Sequence, residues 1–137
     1  MLISIHSLWF LSIDKQKRPL SFNKEQDGLS QTWPDAAVVF MNPPYSRPLL
    51  RPFVEKLAEH GNGIALLKNQ VDNLLFQEVV FARATSMLFM RHRIKFITPD
   101  GTTGSPFFGS VLVAFGHECD RRLRRSSIPG KYVVLNM

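Results

Sequence analysis

A chain of 137 residues is sized for one domain with one hydrophobic core, and its 45% share of hydrophobic residues excludes a disordered protein. The single cysteine, Cys119, excludes an internal disulfide and a cysteine metal cage, and it suits a reducing cytoplasm. The net charge of +6 suits a polyanionic partner such as nucleic acid. The four histidines are scattered without metal-ligand spacing, so no metal site is predicted.

The first 13 residues are apolar. No basic residue precedes the apolar part, and the segment is too short to span a bilayer, so a membrane role is not favoured. The segment is interpreted as a strand, a partner-covered tail or a remnant of something longer. Residues 14–32 are polar and interrupted by Pro19 and Gly28, which predicts a loop with a turn at Asp27-Gly28.

The apolar run Val38–Met41 predicts a buried strand that stops at Asn42, because neither Pro43 nor Pro44 can donate a ladder hydrogen bond. Pro44 also forces Pro43 into an extended conformation, which leaves the carbonyls of Asn42 and Pro43 free to accept hydrogen bonds. In an open α/β sheet the carboxyl ends of the strands are where ligands bind. The pattern therefore predicts a rigid acceptor cluster at a ligand-binding edge.

After this strand, segments with apolar residues at helical spacing alternate with short continuous apolar runs. They predict a helix over Arg47–His60 ended by Gly61-Asn62-Gly63, a strand at Ile64–Leu67, a helix capped by Asp72, and a strand at Met87–Met90. Strands that alternate with helices predict a right-handed parallel α/β unit.

The last third of the chain has a different pattern. Arg93–Ile97 alternates polar and apolar residues, residues 99–104 are typical of a turn, and Gly109–Phe115 is apolar and β-branched, which together predict an antiparallel end to the sheet. A final strand is predicted at Tyr132–Leu135. The arginine run at 121–125 either lies in solvent or follows a phosphate backbone.

The motif Asn42-Pro43-Pro44-Tyr45, placed after an apolar strand and before a helix, resembles the catalytic motif of S-adenosylmethionine-dependent amino methyltransferases. These enzymes methylate N6 of adenine or N4 of cytosine in DNA. Further segments are similar to the phage-type DNA adenine methyltransferases, so that the similarity covers residues 23–116: Asp27-Gly28-Leu29 with Trp33, residues 91–96, and Gly109–Phe115.

The resemblance implies one partial domain over residues 1–137, with a Rossmann-like sheet, helices on its faces and an antiparallel C-terminal hairpin. An atypical segment, 1–22, would precede the similar region, and a basic tail, 117–137, would follow it. It also implies S-adenosylmethionine as cofactor and double-stranded DNA as partner. The glycine-rich turn that holds the cofactor in this family has no match in the sequence, so the chain is expected to be N-terminally truncated. Weak or absent cofactor binding, and inactivity of the chain alone, stay open as alternatives.

The roles of individual residues also follow from the resemblance. The side-chain oxygen of Asn42, often Asp in the family, and the carbonyl of Pro43 would accept the two amine hydrogens. Pro44 would fix the approach of Tyr45, which would stack on the everted base. Asn42 and Tyr45 would border the methionine end of the cofactor. The predicted DNA-binding residues are Ser46, Arg47, Arg91, Arg93, Lys95 and Phe96.

Alternatives stay open at this point. The motif could be only a rigid turn, Arg93 could lie on a half-exposed strand, and Phe96 and Trp33 could be core residues. The whole chain could be a non-catalytic nucleic-acid-binding or partner-binding remnant of the fold, or a methyltransferase acting on RNA or protein glutamine. A sheet edge lacking its neighbouring strands would favour a homodimer or strand exchange.

Overall fold

The computed structural model describes residues 2–4, 10–13, 19–22, 29–46, 48–97, 100–104 and 108–137, with backbone alone up to residue 22 and at 96–97. The elements are β1 (Leu2–Ser4), β2 (Phe10–Ile13), β3 (Pro19–Phe22), β4 (Val38–Met41), α1 (Leu50–His60), β5 (Gly63–Lys68), α2, β6 (Ser86–Met90), β7 (Lys95–Ile97), β8 (Thr103–Gly104), β9 (Ser110–Phe115), α3 (His117–Arg125) and β10 (Gly130–Val134). Here α2 denotes a π-helical segment, Phe76–Val80, together with the α-helical turn Phe81–Arg83 that continues it.

A mixed sheet of seven strands runs through the described residues in the order β10-β6-β9-β5-β4-β2-β3. Strand β4 is parallel to β5, whereas β9 is antiparallel to both β5 and β6. Strands β4, β5 and β6 therefore point the same way, as the sequence pattern predicted, and the reversed strand β9 lies between β5 and β6. The prediction that β9 forms the end of the sheet is wrong, because all six of its residues are buried and need neighbours on both sides.

The segment that alternates polar and apolar residues does not join this sheet. Strand β7 pairs with β1 and β8 in a separate three-stranded sheet. In it Lys95 is exposed, and the preceding Ile94 is buried. Placing Arg93–Ile97 at the end of the main sheet is therefore a wrong prediction, and the half-buried character of the segment suits a small surface sheet.

The N-terminal segment contributes strands to the main sheet. Strand β2 pairs antiparallel with β4, and β3 pairs antiparallel with β2. Of the three interpretations of residues 1–13, the strand is the one that the structure shows, and the loop predicted over 14–32 is wrong at Pro19–Phe22. The predicted turn at Asp27-Gly28 lies outside the described residues. Because β2 covers the edge beside β4, the open edge that motivated a homodimer is paired within the chain, and the oligomeric state stays a prediction.

Helices cover both faces of the sheet, as predicted. One face packs against α1 and α2, and the buried side chains there include Phe53, Leu57, Phe76 and Phe115. The opposite face packs against α3, and its core includes Leu66, Leu112, Cys119 and Leu123. The two cores use alternate residues of the same strands, since neighbouring side chains of a strand point to opposite faces. Trp33 is 6% exposed within the first core, which confirms its interpretation as a core aromatic.

The ends of the helices show where the sequence pattern is specific and where it is not. Gly61 ends α1 in the left-handed conformation at φ 72°, as the Gly61-Asn62-Gly63 motif predicted. At the second helix the predicted cap, Asp72, is exposed, and the side-chain oxygen of Asn73 accepts a hydrogen bond from the backbone N–H of Phe76 instead. Asp and Asn are equally good caps, so the sequence could not choose between these neighbours.

The predicted basic tail contains a helix and an edge strand that pack on the sheet. Asp120 in α3 is 7% exposed, and its carboxylate accepts hydrogen bonds from Tyr132 of β10 and, at 3.1 Å, from Arg124. Burial acts to raise the pKa of Asp120, but the hydrogen bond from Tyr132 and the charge of Arg124 hold that pKa below its ordinary value. Asp120 therefore binds α3 to β10 as a carboxylate. Among the described residues, no helix has the length and apolarity to cross a membrane.

Candidate active site

The acceptor motif lies between β4 and α1. Strand β4 ends at Met41, and the carbonyl of Ser46 then accepts hydrogen bonds from the N–H groups of Leu49 and Leu50 at 3.0 and 3.2 Å, which starts α1. The motif therefore follows a strand and precedes a helix, as the sequence pattern predicted. Because β4, β5 and β6 point the same way, it shares its edge of the sheet with the carboxyl ends of β5 and β6.

Tyr45 is fixed by the neighbouring strand. Its hydroxyl donates to the carbonyl oxygen of Leu66 in β5 at 2.9 Å and lies 3.3 Å from Oδ1 of Asn42. Burial raises the pKa of the Tyr45 hydroxyl well above its ordinary value, so the group stays protonated and keeps donating. A hydroxyl has one proton to give, and the shorter contact goes to Leu66. Oδ1 of Asn42 therefore keeps acceptor capacity beside a ring that is held in place.

Two further residues surround the ring of Tyr45. The ring of Phe108 lies perpendicular to it, at 86°, with the ring centroids 6.0 Å apart. The Nζ atom of Lys68 lies 5.4 Å from the centroid of Tyr45 and 4.4 Å from that of Phe108. Sequence reasoning missed both residues, because they lie 23 and 63 positions from Tyr45 and carry no motif of their own. The register that pairs Lys68 with Ser110 is what brings them together.

For Phe96, one of the predicted DNA-binding residues, the structure describes the backbone alone. Its backbone belongs to β7 in the separate small sheet, and its side chain lies outside the described residues. Arg47 lies outside them altogether. Ser46 is exposed on the turn that leads into α1. Phe108 is the aromatic residue that the described side chains place beside the ring, and the role of Phe96 stays a prediction.

The predicted basic residues 91–95 extend from the carboxyl end of β6. Arg91, Arg93 and Lys95 are exposed, and the backbone N–H of Arg91 donates to the carbonyl of Pro129 at 3.0 Å. His92 and Arg93 line a cavity of about 310 Å³ together with the loop between α3 and β10. Three strand spacings separate β6 from β4, or about 14 Å. These residues therefore lie at the same edge of the sheet as the acceptor motif, with β9 and β5 between the two strands.

A second cavity opens on the other face, between the loops that follow β4 and β5. It measures about 610 Å³ and is lined by Pro48, Leu50, Arg51, Asp72, Asn73, Leu74 and Leu75. Arg51 pairs with Glu55 at 2.8 Å and with Glu78 at 2.6 Å, so this guanidinium links α1 to α2. Since both carboxylates already pair with it, Arg51 serves to hold the two helices together.

Whether the nucleoside of a cofactor could bind beside the acceptor motif depends on the strands that neighbour β4. Strand β2 is antiparallel to β4 and pairs Phe10 with Met41, so it begins at the edge where the motif lies. A glycine-rich turn needs a strand that ends at that edge and leads into a helix. Strand β5 does end at that edge and leads into α2, but the residues between them, 69–75, include no glycine. Neither described neighbour of β4 therefore provides a glycine-rich turn.

Fold and site together indicate a class: mixed α/β proteins that hold an amide oxygen and an aromatic ring side by side at the end of a strand. The chain matches the family model described as DNA N-6-adenine-methyltransferase (Dam) over residues 12–123, most of its length, and it belongs to that family. The match begins within β2 and includes the whole acceptor motif, which confirms the resemblance seen in the sequence. No curated protein and no solved structure gave a match.

Proposed function

We propose that this chain is a domain that transfers a methyl group to N6 of adenine in double-stranded DNA, with Asn42, Pro43, Pro44 and Tyr45 as its catalytic motif. The observation that carries the proposal is the hydrogen bond from Tyr45 to the Leu66 carbonyl, with Oδ1 of Asn42 3.3 Å from the same hydroxyl. This contact, from the loop after β4 to strand β5, holds a stacking surface and an acceptor side by side. Family membership supports adenine in DNA as the substrate.

The chemistry explains why two acceptors are needed. The lone pair of an exocyclic adenine amine is delocalised into the ring, so the amine is a poor nucleophile. If Oδ1 of Asn42 and the carbonyl of Pro43 each accept one amine hydrogen, the lone pair is localised on nitrogen and directed away from the ring. The two groups act through position and electrostatics, and neither needs to be a strong base. Tyr45 would hold the everted purine by stacking.

The family's methyl donor is S-adenosylmethionine, which we propose as the cofactor of this chain as well. The order β4-β5-β9-β6, with a reversed strand between two strands of the same direction, supports the finer assignment to a Rossmann-like methyltransferase sheet. The proposed DNA contacts remain Ser46, Arg47, Arg91, Arg93, Lys95 and Phe96. The exposure of Arg91, Arg93 and Lys95 supports that role.

The test is identification of the methylated product. We expect that the full chain, incubated with methyl-labelled S-adenosylmethionine and duplex DNA, places label in N6-methyladenine after the DNA is digested to nucleosides. Label in N4-methylcytosine would contradict adenine as the target, and label confined to added RNA or protein would contradict DNA. If no label is transferred although calorimetry detects cofactor binding, the proposed activity is wrong.

A second candidate function is non-catalytic binding of DNA by a basic form of this fold. The observation that favours it is the combination of a basic edge with the missing glycine-rich turn. The ion pairs in α3 support a choice among its four arginines for a role in DNA binding. Arg122 pairs with Glu118 at 2.7 Å and Arg124 pairs with Asp120 at 3.1 Å, whereas Arg121 and Arg125 have no ion pair with any described residue.

This candidate gives a prediction for the arginine run. Replacing Arg121 and Arg125 together by Gln should weaken binding to a labelled duplex and reduce the slope of log K against log salt by about 2, because each phosphate contact contributes about 0.9. Anisotropy titrations at several salt concentrations measure the slope. Arg83→Gln is the matched control, because Arg83 is exposed at the end of α2, on the opposite edge of the sheet. A slope near zero for the unmodified chain would contradict this function.

A further inference from the structure

Lys68 is a basic residue at the centre of the site that the acceptor motif does not explain. It is the last residue of β5 and is partly buried, and its Nζ atom lies 4.4 Å from the centroid of Phe108 and 5.4 Å from that of Tyr45. None of the ion pairs among the described residues includes Lys68. Its ammonium is therefore held by two aromatic rings and by no described carboxylate.

The position of this ammonium conflicts with stacking of a base on Tyr45. A nucleobase stacked on an aromatic side chain contributes more to binding than a cation over an exposed ring does. A base arriving at the ring therefore displaces the ammonium. The flexible four-carbon stem allows Nζ to move while the backbone of β5 stays in the sheet. The displaced cation then needs an anion.

A phosphate arrives with the same nucleotide that carries the base. Each nucleotide brings its phosphates to the mouth of the site, and a lysine ammonium binds phosphate as a point charge. A role as a base is excluded for an ammonium, which has three donors and no acceptor. A cation also repels a positively charged sulfonium, so the ammonium is not placed to contact the sulfur of the methyl donor.

We propose that Lys68 is a positioning residue that leaves the rings of Tyr45 and Phe108 when the target base stacks there and binds a phosphate of the same nucleotide. The inference rests on the proposed function, because it takes a nucleotide as the ligand of this site. The exchange links entry of the base to binding of its phosphate. An uncharged base analogue can stack on the rings but offers no phosphate to Lys68.

The test compares single-stranded oligodeoxyadenylate, whose bases are already accessible, with its neutral methylphosphonate analogue. The unmodified chain should bind the charged strand more tightly. Lys68→Met keeps the stem and its contact with the rings, and it should weaken binding of the charged strand about tenfold at low salt while leaving the neutral strand unchanged. The slope of log K against log salt should fall by about 0.7, the value for one phosphate of a single strand.

Two further variants separate this role from a structural one. Lys68→Arg keeps the charge and should restore both the affinity and the salt slope, and Arg83→Met on the opposite edge should leave them unchanged. The proposal is overturned if Lys68→Met keeps the salt slope, if it weakens both strands equally, or if the unmodified chain binds neither strand. The two proposals can fail separately because this readout is binding. If Lys68→Met lowers the salt slope but the unmodified chain transfers no methyl group, the proposed activity is contradicted and the phosphate site is supported.

Discussion

Replacing Asn42 by alanine is expected to lower kcat for DNA methylation by about 10²–10³-fold, the usual effect of deleting one fixed hydrogen-bonding group that acts in the transition state. The side-chain oxygen is the acceptor that we assign to one amine hydrogen, and alanine has no replacement for it. The free energy of unfolding should change little, because the partly buried side chain has one described contact, to Tyr45 at 3.3 Å. Labelled methyl transfer to duplex DNA and urea unfolding measure the two quantities.

Two variants make the Asn42 result specific. Asn42→Asp keeps an acceptor oxygen at the same position and should keep most of the activity. Asn69→Ala removes an exposed amide just beyond the end of β5, at the same edge of the sheet, and should leave kcat unchanged. If Asn42→Ala methylates DNA at the rate of the unmodified chain, the two-acceptor assignment is wrong.

Replacing Gly116 by alanine should produce the largest loss of stability, about 3 kcal/mol or more. Gly116 has φ 92° and ψ 154°, a region of backbone conformation that is essentially restricted to glycine. A Cβ atom there would also lie 2.2 Å from the carbonyl oxygen of Gly61, which is backbone and cannot rotate away. The junction between β9 and α3 would have to shift. Urea unfolding gives the change in free energy.

Alanine substitutions at two other glycines distinguish the cost of backbone strain from the cost of steric overlap. Gly101 has φ 84°, and a Cβ atom there would have no described atom within 4 Å, so Gly101→Ala should cost only the strain of the left-handed region, about 1 kcal/mol. Gly104 has open space and no positive φ, so alanine there should be nearly neutral. Equal losses at Gly116 and Gly101 would show that the contact with Gly61 does not matter.

Local patterns predicted much of the fold. The prolines after Met41 fixed the end of β4, the apolar spacing of three and four residues predicted α1, and Gly61 marked its end. In each case the responsible interaction lies within one turn or one strand, so neighbouring residues determine it. The same holds for the acceptor motif, whose rigidity comes from two adjacent prolines.

Strand order could not be predicted in the same way. Strand β9 is an apolar run in the sequence, and such a run does not by itself identify the strands that it pairs with. Its place between β5 and β6 is set by backbone pairing with both strands, which lie far from it in the chain. The N-terminal hairpin of β2 and β3 is a similar case, because its short strands carry no turn motif that identifies their partner. The residues of β2 that pair with β4 are 25 or more positions away from their partners in the chain.

The sequence by itself determined the end of β4 and the order of an amide side chain, two prolines and an aromatic ring after it, because prolines fix φ wherever they occur. Only the tertiary structure decided what surrounds that ring. Lys68 and Phe108 reach Tyr45 because β5 pairs with β9 in one register, and a single-residue slip would turn those side chains to the opposite face. Residues far apart in the chain meet through such pairings, and no local pattern records them.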